Sequence, residues 1–133
     1  MGKISTVIGV IGVVKNWPTY LLEYAGVLAP AERIYELKNG LKIATRPKTG
    51  DRSTINEIFI HNLYPYKFKK DDIVVDIGAH IGIFTIFAAS HAAKVFSYEP
   101  DPGNFAQLKK NLSINHLPDA AAFNIGVAGK SGK

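Results

Sequence analysis

The sequence predicts an α/β fold. It reads as half of a doubly wound parallel sheet, laid out β-α-β-α-β, with an N-terminal helix and a β-hairpin before it. Three observations carry this. The short apolar run Ile73-Val74-Val75-Asp76-Ile77 passes at once into a glycine-spaced turn, Gly78-Ala79-His80-Ile81-Gly82. A second run, Lys94 to Tyr98, ends at Glu99. Segments of helical periodicity follow each of them, and a third run, Ala121 to Val127, completes the pattern.

The bulk numbers agree with one domain. The chain has 133 residues, of which 47% are hydrophobic, enough for a real core. Three stretches are expected: 1–32, an apolar helical segment; 33–70, the hairpin and a helix before the first core strand; and 71–133, the β-α-β-α-β half. With no cysteine in the sequence, disulfides and thiolate metal sites are excluded. His61, His80, His91 and His116 lack ligand spacing, so no metal site is expected. The net charge of +5 is scattered over the chain. That pattern reads as a solvated basic surface, and a nucleic-acid partner is disfavoured because the cations are not interleaved with aromatic residues.

Each element has its own signal. Ile4 to Val14 is apolar apart from Ser5 and Thr6, and lysines flank it. Eleven residues are too few to span a bilayer as a helix, and Asn16-Trp17-Pro18 is a poor cleavage site. The stretch reads as a packed strand or helix, with peripheral membrane contact as the alternative. Lacking an export signal, the chain is expected in the cytoplasm. Tyr20, Leu21, Tyr24 and Leu28 predict a short amphipathic helix over Thr19–Leu28, ended by Pro30. Arg33–Lys38 and Leu41–Arg46 flank Asn39-Gly40, which predicts a hairpin closed by a two-residue type I′ turn. Ser53 is expected to cap a helix over Thr54–Asn62.

Ile73–Ile77 is almost wholly apolar, as suits a central parallel strand covered on both faces. Ile81–Ala92 reads as a buried helix, and Lys94–Tyr98 as the second strand. Asp101 caps the next helix and Pro102 takes its first position, with Phe105, Leu108 and Leu112 facing inward. Asn115 is expected to end that helix in a left-handed conformation. Gly129–Gly132 reads as a turn.

The glycines and the two acids belong together. Gly78 allows a sharp turn and close approach of a ligand, and Gly82 allows the new helix to lie close to the sheet. Backbone N–H groups at the helix start can hold a carboxylate. Glu99 follows the second strand and can accept both hydroxyls of a ribose. Asp76 discriminates between cofactors. A diphosphate at this turn would be repelled, whereas the ammonium and sulfonium of S-adenosylmethionine would be attracted. At 4 Å in an intermediate dielectric the difference is roughly 4 kcal/mol per charge pair, so the sign of the ligand decides. The Gly-x-Gly-x-x-Gly spacing of dinucleotide sites is also absent.

Several motifs then match a known family. Val75-Asp76-Ile77-Gly78-Ala79-His80-Ile81-Gly82-Ile83-Phe84-Thr85, Tyr98-Glu99-Pro100-Asp101-Pro102 with Asn104-Phe105, and Leu108-Lys109-Lys110-Asn111 with Asn115 resemble the FkbM-type S-adenosylmethionine-dependent methyltransferases. Asn39-Gly40-Leu41-Lys42, Asp51, Glu57-Ile58-Phe59, Tyr64 and Asn124-Ile125-Gly126-Val127-Ala128 extend the resemblance over residues 33 to 132. It implies a class I Rossmann-like methyltransferase fold, truncated to its first half, and methyl transfer to a hydroxyl of a sugar or natural product. Asp76, Gly78 and Gly82 would form the cofactor turn and Glu99 would bind the ribose. Ala79, His80 and Pro100 would line the pocket, while Asp51, Glu57 and Tyr64 would close it from the N-terminal side. His80 stands where the family commonly has asparagine; it can still donate one hydrogen bond. The family's second acidic motif has no match here, so the chain resembles the amino-terminal part of such an enzyme. The far edge of its first strand is then expected to lie open, which favours self-association. No catalytic base is assigned. The expected acceptor is a small molecule or carbohydrate. Two further readings stand beside this one: a non-catalytic adenosine-binding or assembly module, and a nucleic-acid methyltransferase.

Overall fold

The computed structural model describes residues 2–92, 94–117 and 119–131. It divides into two compact units, Met1–Tyr66 and Lys67–Lys133.

The N-terminal unit opens with helix α1, Lys3–Val13, which buries Thr6 and Val10. Gly9 sits where a Cβ would lie 2.3 Å from Ile60 Cγ2, so the helix rests almost backbone-first on its neighbour. Val14 then bridges to Leu37 of the hairpin. Helix α2 spans Trp17–Tyr24, earlier than the periodicity predicts. It carries Pro18 in its first turn and stops at Gly26, whose φ is +74°, well before Pro30. The hairpin pairs β1, Arg33–Glu36, with β2, Lys42–Thr45.

The hairpin register differs from the expected one by one residue. Leu37 N–H donates to Leu41 O at 2.8 Å, leaving the three-residue loop Lys38–Gly40. Gly40 takes a φ of +92°, while Asn39 stays at negative φ and uses its side-chain oxygen to accept from Leu41 N–H at 3.1 Å. That bond satisfies the turn without the second left-handed residue a type I′ turn needs. The following helix, α3, starts at Asp51 rather than Thr54 and runs to Ile55. It continues as one π-helical turn, Asn56–Ile60. Ser53 lies inside α3 and donates back to Gly50 O at 2.8 Å instead of capping.

The C-terminal unit is a three-stranded parallel sheet in the order β3-β4-β5. Its strands are β3, Ile73–Ile77; β4, Lys94–Tyr98; and β5, Ala120–Phe123. Helix α4, Ile83–Ala89, and helix α5, Pro102–Ile114, make the crossovers. α4 is shorter than Ile81–Ala92 because Gly78, His80 and Gly82 all take positive φ and hold residues 78–82 as a turn. β5 ends at Phe123, and Asn124 turns its side chain onto Glu99 O and Pro100 O at 2.8 and 3.1 Å. In α5, Asp101 accepts from Asn104 N–H at 2.7 Å as the expected cap. Asn115 ends the helix at a φ of −101°, and His116, not Asn115, is left-handed.

β3 lies at one edge of the sheet, in line with the open far edge expected of a half-fold. The expectation that it is a central strand covered on both faces is corrected. α4 covers one face, where Val95 and Ser97 are buried. On the other face Ile73, Val75 and Ile77 are 67%, 56% and 62% exposed. The turn expected at 129–132 falls partly outside the described residues. Among those described, no helix is long and apolar enough to cross a membrane, and no group of three or more metal-ligating side chains occurs.

Candidate functional site

Parallel strands end together, so the carboxyl tips of β3 and β4 bring distant residues into one place. The register pairs Asp76 with Ser97 and Ile77 with Tyr98. The chain then leaves β3 through the glycine turn while β4 runs into Glu99. The N–H groups of Gly78 and Ala79 both donate to Tyr98 O, at 2.9 and 3.0 Å. Gly82 N–H closes the turn on Ala79 O at 2.8 Å. Asp76, Gly78, Ala79, His80, Gly82, Glu99 and Pro100 are thus brought together at the carboxyl ends of β3 and β4. Asp51, Glu57 and Tyr64 belong to the N-terminal unit.

The two glycines do different work. Gly78 has a φ of +77° and open space where a Cβ would stand, so the backbone can be approached there. At Gly82, with a φ of +82°, an added Cβ would lie 2.2 Å from Leu108 Cδ1. The close neighbour that Gly82 accommodates is therefore helix α5, not the sheet as expected. His80 is half-buried between them and takes a φ of +54°, a conformation uncommon for a side chain of its size.

Glu99 organises the site. Its Oε2 accepts from His80 N–H at 2.7 Å, and its Oε1 accepts from Asp101 N–H at 2.9 Å. One carboxylate therefore joins the glycine turn to the N-terminus of α5, and only 5% of the residue is exposed. Oε1 also accepts from Asn104 Nδ2 at 3.5 Å. A carboxylate has about four acceptor positions, so these three bonds leave room for about one more donor.

Asp76 sits deeper. Its Oδ2 accepts from Thr85 Oγ1 at 2.6 Å, and Thr85 Oγ1 lies 2.9 Å from Ser97 Oγ. Burial pushes the Asp76 carboxyl above the usual carboxylate range. The Thr85 hydrogen bond opposes that shift and the nearby Glu99 charge adds to it. The carboxylate is therefore a buried group held beneath the turn, not a strand-end acid displayed in water.

Other residues support this arrangement without having been singled out as site residues. Asn111 is fully buried in α5 and donates to Ile81 O at 2.9 Å, which pins the turn to the helix. Asn124 secures the Glu99-Pro100 segment from the end of β5. Thr85 holds Asp76, and Ser97 lies within hydrogen-bond distance of Thr85. Thr85, Asn111 and Asn124 fall within the motifs that carry the family resemblance, and Ser97 shows only as a polar residue in an apolar run.

In the N-terminal unit, Asp51 is buried and receives three hydrogen bonds from Arg46, through its backbone N–H at 2.9 Å and its guanidinium at 3.0 and 3.0 Å. Burial alone would raise its pKa, but the Arg46 bonds and charge hold it below the usual range. Glu57 is exposed at the start of the π-helical turn, and Tyr64 is 51% exposed. A cavity of about 560 Å³ in the C-terminal unit, lined by Leu112, His116 and Ala122 among others, lies beside the start of β5 and shares no lining residue with the turn.

Comparison with known proteins places the fold. No protein-family model matches the chain. It is 29% identical over 101 residues to the AMB antimetabolite synthetase AmbE of Pseudomonas aeruginosa, covering 70% of this chain and 5% of that protein. It is 28% identical over 74 residues to Methyltransferase 1 of Beauveria bassiana, covering 53% of this chain and 30% of that protein. The chain thus spans less than a third of the length of either curated relative. Among solved structures, TYW2 of M. jannaschii in complex with AdoMet superposes with a TM-score of 0.55 at 22% identity, over 72% of this chain and 44% of that one. The M. jannaschii tRNA m1G37 methyltransferase superposes with a TM-score of 0.50 at 22% identity, over 74% and 30%. The fold is the α/β fold of the class I methyltransferases, represented here by its first β-α-β-α-β half.

Proposed function

We propose that this chain carries the cofactor-binding half of an S-adenosylmethionine-dependent methyltransferase that acts on a hydroxyl of a sugar or natural product. The observation that carries the reading is the pairing of Glu99 with the glycine turn over the buried Asp76. Two carboxylates close together at one end of the sheet suit a ligand with ribose hydroxyls and a positive centre, and disfavour a diphosphate. Open space at Gly78 lets such a ligand meet the backbone without displacing a side chain. The M. jannaschii TYW2 structure, which holds AdoMet on the same fold, supports the choice of cofactor.

When bound, that cofactor supplies an activated methyl group on a sulfonium. The work of this chain is to bind and orient. Glu99 accepts from a ribose hydroxyl, Asp76 supplies negative charge beneath the turn, and Ala79, His80 and Pro100 line the approach. The FkbM-type motifs support an oxygen acceptor on a small molecule or carbohydrate.

The test is calorimetry with S-adenosylmethionine on the wild-type chain and on Asp76→Ala and Glu99→Ala. Binding that weakens in both variants supports the reading; unchanged affinity in both overturns the site. Methyl turnover in the full-length protein supports the enzyme, and binding without turnover there supports a non-catalytic module. A nucleic-acid acceptor is the second reading, favoured by the net charge of +5 and by the fold shared with a tRNA methyltransferase. Steeply salt-dependent RNA binding is its signature.

A further inference from the structure

The N-terminal unit carries an apolar surface that the methyl-transfer reading does not use. Helix α1 is held in one orientation, with Thr6 and Val10 buried and Gly9 against Ile60. Its opposite stripe is Ile4, Ile8 and Ile11, at spacings of four and three, and these are 78%, 66% and 39% exposed. A surface helix ordinarily turns charged residues outward; this one turns isoleucines. Beside the stripe, an open groove of about 660 Å³ is lined by Val7, Leu21, Tyr24 and Ala25, with Lys3 also on its wall. Trp17, at the start of α2, is 38% exposed.

Charge selects the occupant. Residues 1–22 contain Lys3 and Lys15 and no acid. Lys15 is paired with Glu36 at 3.3 Å, but both side chains are largely exposed, so that pair is weak. Lys3 makes no ion pair among the described residues. A protein partner calls for a polar rim of mixed donors and acceptors. An apolar stripe with cations at both ends and an aromatic residue beyond suits the headgroup boundary of a bilayer. The helix has eleven residues and is about 16 Å long, so it lies in that boundary rather than crossing it.

We infer that the α1 face of this unit, stripe and groove together, docks on an anionic phospholipid surface, with Ile4, Ile8 and Ile11 entering the acyl boundary and Lys3 meeting lipid phosphates.

The experiment uses the full chain and sedimentation with vesicles of mixed phosphatidylglycerol and phosphatidylcholine, with pure phosphatidylcholine vesicles alongside. The chain is expected to pellet with the anionic vesicles, less so at high salt. Ile8→Asp is expected to lower the partition coefficient by about tenfold or more, with an unchanged circular dichroism spectrum because residue 8 faces solvent. Lys3→Glu is expected to weaken pelleting with anionic vesicles only. Absence of pelleting at low salt, equal pelleting of Ile8→Asp and wild type, or indifference to phosphatidylglycerol overturns the inference. So does a concentration-dependent dimer, seen by light scattering, that Ile8→Asp abolishes.

Discussion

Glu99 accepts the backbone N–H of His80 across 19 residues of sequence, at 2.7 Å. With its second oxygen on Asp101 N–H, the same carboxylate ties both βα turns of the sheet together. Residue 99 therefore shapes the site as well as facing it, and its removal should be felt before any ligand is added.

Glu99→Ala strands two backbone donors at a nearly buried position. Hydrogen bonds to a charged acceptor contribute about 1.5–3 kcal/mol each, with partial recovery from water. We expect about 2–3 kcal/mol of lost stability in urea unfolding and an affinity for S-adenosylmethionine reduced by more than about tenfold. Glu99→Gln retains an acceptor oxygen and should fall between the variant and wild type on both measures. Equal stability of Glu99→Ala and wild type would show that the two bonds contribute little.

Asp76 sets function against stability. Its carboxyl is raised above the ordinary range, so the folded state binds that proton more tightly than the unfolded state does. Its contribution to stability is therefore fullest at low pH. It declines as pH rises from the unfolded value, about 3.9, through the raised folded value. Cation attraction runs the opposite way and is lost as pH falls through the folded value. Asp76→Asn should be as stable as wild type or more so at pH 7, with a flatter stability–pH curve, while binding S-adenosylmethionine at least about tenfold more weakly. Denaturation at several pH values, paired with calorimetry, reads both halves.

Gly82→Ala meets two obstacles, a left-handed φ and the Leu108 methyl 2.2 Å from the new Cβ. We expect a loss of more than about 2 kcal/mol, of which 1–2 kcal/mol is backbone strain. Leu108→Ala alone should cost about 2–5 kcal/mol through its cavity. The double variant should lose less than the sum, because each change makes room for the other; strict additivity in thermal unfolding would refute the contact.

Asn111→Leu leaves Ile81 O without its buried donor. The expected cost is about 1–3 kcal/mol. Faster amide exchange should appear across residues 78–82, with little change in the hairpin of the N-terminal unit. Unaltered protection of the turn would show that Asn111 serves packing alone.

Much of this was legible from local pattern. The runs at Ile73 and Lys94, the glycine spacing and the Asp101-Pro102 helix start are set by neighbours in sequence, and each signal arises where its structure forms. The misses have a common cause. The hairpin register turned on whether Asn39 would adopt positive φ or bond Leu41 with its side chain, which composition does not separate. The Asn111–Ile81 and Asn124–Glu99 bonds span 30 and 25 residues, beyond any local period. Asp76 stands at the end of β3, but its burial follows from Thr85 of α4, which bonds it, and from Ser97 of β4, which lies against Thr85. The π-helical turn at Asn56–Ile60 has no sequence marker at all.

The turn after β3 is closely held. Three of its five residues occupy left-handed φ, and Tyr98 and Glu99 clamp its N–H groups. A turn so held has little backbone freedom to surrender when a guest arrives. Capture at this turn should then need no large rearrangement, and affinity differences among guests should be written in how long each one stays.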